Sequence, residues 1–310
     1  MNRKHRFTLS SAALALGLVM SANSHAYTLV PGDNGLSIEL KGDYEVQLRQ
    51  RKANDRNLDL EYDDLEIKVH AAQKFGNGTK IFGAVETDFK REGDGDANST
   101  LDQAWVGIDF GALTIGFGKT DYATDNFSVE ADYEMGPGDG FDQFKDAGDD
   151  LIFGNFKAGD FTLYYSTDIA EGNDGEVKDE SSIDLVARYK IAGFDLALAY
   201  QDFKEDGDSE SIDTIGARVK TKLGGLGLGL AFTTNDTSDQ IDASLKYKLG
   251  GKLSGATGIS QVSPEGEEDV TYWYTNIGQS FGKAKVFAEI GGDNADDTDI
   301  GYLVGMRIRF

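Results

Sequence analysis

From residue 36 to the C-terminus, apolar and polar residues alternate with period two, segment after segment. In the first segment Leu36, Ile38, Leu40, Gly42, Tyr44, Val46 and Leu48 fall on one phase, and Ser37, Glu39, Lys41, Asp43, Glu45, Gln47 and Arg49 on the other. A strand points successive side chains to opposite faces, so this is one apolar and one polar face. A helix would need apolar residues at i, i+3, i+4 and i+7, which this spacing does not supply. The pattern returns with Leu65, Ile67, Val69 and Ala71, with Ile183, Leu185, Ala187 and Tyr189, with Ile241, Ala243, Leu245, Tyr247 and Leu249, and with Ile300 through to Phe310. The chain is therefore expected to be all-β.

The connections alternate too. Short, glycine-rich ones occur at Gly76-Asn77-Gly78, Gly111-Ala112, Ala158-Gly159, Ala192-Gly193, Gly224-Gly225, Gly250-Gly251 and Gly282. Such sites suit tight hairpins that need positive φ. Long, acidic connections are expected at 91–100, 168–180, 202–210, 234–240, 263–269 and 291–299. The strands between them number about sixteen, an even count as in antiparallel transmembrane barrels. Phe75, Phe110, Phe156, Tyr189, Tyr247 and Phe281 each stand just before a short connection, and Phe310 ends the chain on the same side. One girdle of interfacial aromatics would result. A soluble β-sandwich also alternates. The short-long loop rhythm, the one-sided aromatics and the density of charge on the polar phase favour the barrel.

Residues 1–26 read as a secretory signal: Arg3, Lys4, His5 and Arg6, then a short apolar core at 12–20, then Ser24-His25-Ala26. Residues 27–310 would form one barrel domain. Thirty Lys and Arg against 54 Asp and Glu give a formal charge of −24. The signal holds three of the bases and no acid, so the remainder would carry −27. So acidic a chain is a poor nucleic-acid partner. With no Cys there is no disulfide, thiolate ligand or cysteine nucleophile. No run of 18 apolar residues marks a membrane helix.

The chain resembles the general bacterial porins of the Gram-negative outer membrane. Gln103-Ala104-Trp105-Val106-Gly107-Ile108 and Leu113-Thr114-Ile115-Gly116-Phe117-Gly118-Lys119 are similar to that family's fourth and fifth strands. The longest connection, 119–149, follows where the family has a third loop folded into the lumen. The C-terminal Tyr302, Val304, Met306, Ile308 and Phe310 resemble the signal read by the outer-membrane assembly machinery. The resemblance implies a homotrimer of 16-stranded barrels in contact with outer-membrane lipid and lipopolysaccharide. It also implies passive diffusion of ions and small hydrophilic solutes, without cofactor or catalysis.

The residues themselves offer little chemistry. His70 is the one histidine outside the signal, in phase with Glu66 and Lys68. A hydrolase or zinc site would need partners that no other His or Cys supplies. Asp94-Gly95-Asp96-Ala97-Asn98 opens like a calcium loop but has Ser99 where the turn glycine belongs and Trp105 where the bidentate Glu belongs. Gly224 to Gly229 lacks the spacing of a nucleotide loop and reads as a turn entering a strand. Trp105 is the clear lumen-phase Trp, too little for the aromatic ladder of a sugar channel. A channel selective for a specific anion or sugar, a barrel hydrolase and a plugged adhesive barrel are the alternatives. Charge is more informative. The 119–149 connection carries nine acids and two lysines. Folded inward, its Asp132, Glu134, Asp139 and Asp142 would face Lys41, Arg49, Lys68 and Arg188 across a constriction, and a low-dielectric wall focuses such a field. Moderate cation selectivity is the expectation.

Overall fold

The computed structural model describes residues 27–30, 35–50, 58–90, 98–133, 143–169, 172–173, 176–177, 181–205, 210–295 and 300–310. The signal reading at 1–26 lies outside them, as do Asp94 to Ala97 of the calcium-like segment. A short β1 (Tyr27–Val30) precedes β2 (Leu36–Gln50), β3 (Asp59–Lys74), β4 (Lys80–Lys90), β5 (Asn98–Asp109) and β6 (Leu113–Asp121). A 3-10 turn, Ala123–Phe127, opens the long connection to β7 (Ala147–Ala158) and β8 (Phe161–Asp168). The two-residue strands β9 (Gly172–Asn173) and β10 (Glu176–Val177) pair only with each other. Then follow β11 (Ser181–Ile191), β12 (Phe194–Lys204), β13 (Ile212–Leu223), β14 (Leu226–Thr234), β15 (Ser238–Gly250), β16 (Leu253–Pro264), β17 (Val270–Phe281), β18 (Ala284–Asp293) and β19 (Gly301–Arg309).

Each strand pairs antiparallel with its neighbour in sequence, β8 pairs with β11, and β19 pairs with β2. The ring so closed has sixteen strands, and closure leaves no free edge. β1 lies beside the first half of β2, Tyr27 opposite Leu40, where β19 has ended. At that junction Phe310 N donates to Gly42 O at 3.0 Å and Gly42 N to Phe310 O at 3.1 Å. The segments that resemble the porin fourth and fifth strands are the fourth and fifth strands of this ring.

Burial is inside-out. On β12 the outward Leu198 is 63% exposed, while on the inner face Gln201 is buried; on β11 Ile183 and Leu185 are exposed and Asp184 is buried. A sandwich would bury those leucines, so the sandwich alternative fails. A barrel in lipid puts the apolar phase outside. All seven short connections are hairpin turns, and Phe75, Phe110, Phe156, Tyr189, Phe281 and Phe310 are exposed at that end, with Tyr247 half-covered. In the Ala192-Gly193 turn both residues have positive φ, 49° and 84°, the twist that a two-residue hairpin needs.

One expected long connection is wrong. At 234–240 the strands run on, β14 to Thr234 and β15 from Ser238, so that only three residues connect them. Asn235 Oδ1 accepts from the backbone N–H of Thr237 and of Ser238, both at 2.9 Å. This local cap closes the hairpin, and ladder pairing then proceeds through polar Asp239 and Gln240.

Candidate pore and its inward loop

The connection between β6 and β7 crosses the inside of the barrel. Its outgoing limb, residues 122–133, touches inner-face residues of strand after strand. Tyr122 donates its hydroxyl to Asp168 on β8 at 2.5 Å, and Ala123 N to Ser166 on β8 at 2.7 Å. Thr124 Oγ1 reaches Asp184 on β11 at 3.3 Å. Arg218 on β13 donates through Nη1 to the carbonyls of Asn126, Phe127 and Ser128 at 2.8, 2.6 and 3.3 Å. Ser244 on β15 donates to Val129 O at 2.5 Å. Tyr274 on β17 receives Ala131 N at 2.8 Å, and Asn276 donates to Ala131 O at 2.8 Å. Tyr133 N donates to Glu289 on β18 at 2.8 Å, and its ring stacks on Phe287 with centroids 4.0 Å apart. Burial and then the Glu289 carboxylate push the Tyr133 phenol up to about 12. The returning limb is held by Gln143 on Ser238 at 2.9 Å and by Lys145 N on Gln201 Oε1 at 2.7 Å. The expectation of a long inward loop is thus met.

This loop has its own small core. Phe127, Val129 and Phe144 are buried against Val186, Ala197, Ala199 and Ala231 of the inner wall. Phe127 and Phe144 meet edge to face at 5.3 Å. The wall beneath is cut back to receive them: a Cβ on Gly216 would lie 2.6 Å from the Phe127 ring. Directly under the loop, β12 to β14 present small residues, Ala197, Ala199, Gly216 and Ala231, on the inner face, with large apolar residues on the outer one. Beside the loop, Asp184 is buried and accepts from Ser182 and Gln201 at 2.6 Å each and from Ser166 at 3.1 Å. Those bonds substitute for a cation as partners of the carboxylate.

Of the acids expected at the aperture, Asp132 stands half-buried on the outgoing limb; Glu134, Asp139 and Asp142 lie outside the described residues. The four bases are divided. Lys41 sits 3.2 Å from Glu39, Arg49 is 3.5 Å from Glu61, and Lys68 pairs with Glu86, all on the wall of β2 to β4. Arg188 stands on β11, six strands round the ring from β3, with Nε on both Asp195 oxygens at 2.7 and 2.9 Å. Each of the four neutralises a wall carboxylate. The wall of β2 to β4 buries Glu45, which Arg307 of β19 pairs, and Asp88, while among the described residues lysines with no carboxylate in ion-pair contact gather on β13 and β15. Sequence phase placed these residues inside but could not say which share a wall.

His70 lies on the inner face, its ring edge-on to Trp105 at 6.1 Å; Trp105 also meets Phe82 at 5.4 Å and Phe153 at 5.8 Å. The histidine is a packing partner in an aromatic patch on β3 to β7. Phe82 and Phe153 join Trp105 there, a cluster that the sequence reading did not assemble because its members come from four strands. The expected terminal signal is an outward row: Tyr302, Val304, Met306 and Phe310 are exposed and Ile308 is half-covered.

Comparison with known proteins gives a consistent result. The sequence profile of a family described as Gram-negative porin matches residues 10–305. Porin-like protein H of Photobacterium profundum is 28% identical over 97% of this chain and 100% of its own. Among solved structures, the trimer form of OmpT, an outer membrane protein of Vibrio cholerae, superposes with a TM-score of 0.77 at 14% identity, over 89% of this chain and 100% of that one. The anion-selective porin from Comamonas acidovorans gives 0.72 at 12% identity, over 89% and 100%. At those identities the structural likeness speaks for the fold alone.

Proposed function

The chain belongs to the Gram-negative porin family, and from that premise we propose that it forms a water-filled channel through which ions and small hydrophilic solutes diffuse passively, with a moderate preference for cations. The observation that carries this reading is the tethered loop: its described limbs run along the inner wall from β8 to β18 of a sixteen-stranded ring, and a ring of this size is wide enough for water. The permeating ion passes between the loop and the wall of β2 to β5. That wall carries Glu39, Asp43, Glu45, Glu61, Glu86 and Asp88 with Lys41, Arg49 and Lys68, and Arg307 and Arg309 of the adjoining β19 pair with Glu45 and Asp43, so its excess of acid is small. The acidic long connections share the outer mouth, where they concentrate cations within a Debye length of ~8 Å at physiological salt. Asp132, with Glu134, Asp139 and Asp142, is the loop's contribution to the constriction.

A homotrimer suits the family, and the Vibrio cholerae relative is described in a trimer form. The outward row ending at Phe310 would present the closing strand to the assembly machinery. The mechanism needs no side chain to act as acid, base or nucleophile. The test is reconstitution in a planar bilayer across a salt gradient. Steady ohmic conductance with a reversal potential on the cation side supports the reading. A barrel that inserts and passes no current would refute it, and an anion-side potential would overturn the selectivity.

A further inference from the structure

Beneath the outgoing limb of the loop, toward the short-turn end, the inner wall of β11 to β15 forms an open recess of about 720 Å³. Arg188, Lys190, Lys220, Lys222 and Lys246 line it, with only Asp160 and Asp195 as acids, which leaves +3 in a chain whose formal charge is −24. Asp195 is already engaged by both Arg188 and Arg218. Among the described residues, Lys190, Lys220, Lys222 and Lys246 have no carboxylate within ion-pair distance; Glu130 and Asp132 of the loop act on Lys246 from above, at longer range. The recess faces the lumen, because Arg188, Lys220 and Lys246 share the strand phase of Asp184, Arg218 and Ser244, which bond to the inward loop.

The register gives the recess its shape. Across β13, β14 and β15 one row reads Lys222, Gly227, Lys246, and the next reads Lys220, Gly229, Ser244. Strands lie about 4.8 Å apart, so the lysines of the first row stand roughly 10 Å apart at Cα, with no side chain between them. Val129 and its carbonyl bond to Ser244 roof the gap, and Arg218 fixes that roof. A monovalent ion can meet one ammonium at a time. A linear oxyanion with several charges can meet both lysines of a row across the glycine floor.

We propose that this recess binds polyvalent oxyanions of the phosphate type, inorganic polyphosphates or phosphate esters, entering from the short-turn end. The proposal rests on the reading of the lumen as solvent-filled. Like charge gathered in excess of its counter-charge costs folding free energy, and a polyanion relieves that cost while adding charge-assisted hydrogen bonds.

The experiment is calorimetric titration of the folded, detergent-solubilised protein with inorganic tripolyphosphate at low salt, with chloride and sulfate as comparisons. Tripolyphosphate should bind best. The triple variant Lys220→Gln, Lys222→Gln, Lys246→Gln should bind at least tenfold more weakly, equivalent to about 1.4 kcal/mol. A control variant, Lys74→Gln, Lys80→Gln, Lys157→Gln, removes the same charge from the same end of the barrel outside the recess and should bind as the parent does. Retained heat-modifiable migration establishes that each variant is folded. If one variant misfolds, tripolyphosphate protection of the lysines from amine acylation in the parent, read by mass spectrometry, should be confined to Lys190, Lys220, Lys222 and Lys246. Absence of binding by the parent, an equal loss in both variants, or protection spread over all lysines would overturn the proposal. Because binding is measured without current, its failure leaves the channel reading standing, and a non-conducting barrel that still binds would refute the channel alone.

Discussion

Arg218 fastens the middle of the inward loop to the wall, and its removal should loosen the loop while leaving the barrel closed. Its side chain is 2% exposed. It donates to Asn126 and Phe127 carbonyls at 2.8 and 2.6 Å, and its guanidinium carbon lies 5.7 Å from the Phe127 ring. A hydrogen bond to a charged group contributes about 1.5–3 kcal/mol. Both are lost in Arg218→Ala, but the freed carbonyls regain water when the limb lifts. A net loss of about 2 kcal/mol is therefore expected, which is roughly a 30-fold rise in the lifted fraction. The wall itself is held by backbone ladders on both sides of β13, and Asp195 keeps Arg188. Heat-modifiable migration should be unchanged. The assay is chymotryptic cleavage at Phe127 in detergent-solubilised protein. Where closing outruns cleavage the rate follows the open population, so it should rise about 30-fold. Open-channel noise should rise with it, and Arg218→Lys, which keeps the charge, should fall between. A variant cleaved at the parental rate and equally quiet would refute the latch, since Ser244, Tyr274, Asn276 and Glu289 would then suffice.

Three further outcomes can be checked. Gly216→Val puts side-chain atoms where Phe127 packs and should destabilise loop seating by about 1–3 kcal/mol, the usual cost of overpacking, read as faster loop cleavage; parental cleavage would refute the close fit. Replacing Asp132, Glu134, Asp139 and Asp142 by Asn or Gln should move the reversal potential toward anions at similar conductance, and an unchanged potential would remove these acids from the constriction. Deleting Phe310 takes away the two backbone bonds to Gly42 and the end of the outward row, so outer-membrane levels should fall in cells; normal insertion would count against the assembly role.

Much of this architecture is legible in the amino-acid order because a strand has a period of two. Leu36 to Leu48 on one phase and Glu45 to Arg49 on the other assign faces without any knowledge of neighbours. Glycine pairs that tolerate positive φ mark the short turns, and the length of 119–149 marks the inward loop. The polar stretch at 234–240 misled because ladder bonds depend on the backbone, and Asn235 supplies a turn that polarity alone does not reveal. The seat of the loop left a faint trace: Leu196-Ala197-Leu198-Ala199 and Leu226-Gly227-Leu228-Gly229 are apolar on both phases, with small residues on the inner one. That pattern says a second surface is covered but does not say by what. Which charges meet was decided by the tertiary structure alone. Arg188 and Lys68 share a phase and a charge sign, yet ring order sets them on different walls, and register aligns Lys222 with Lys246 across a glycine while giving Lys68 to Glu86. Phase is a property of one strand, whereas the field in a pore belongs to side chains from many strands at one height.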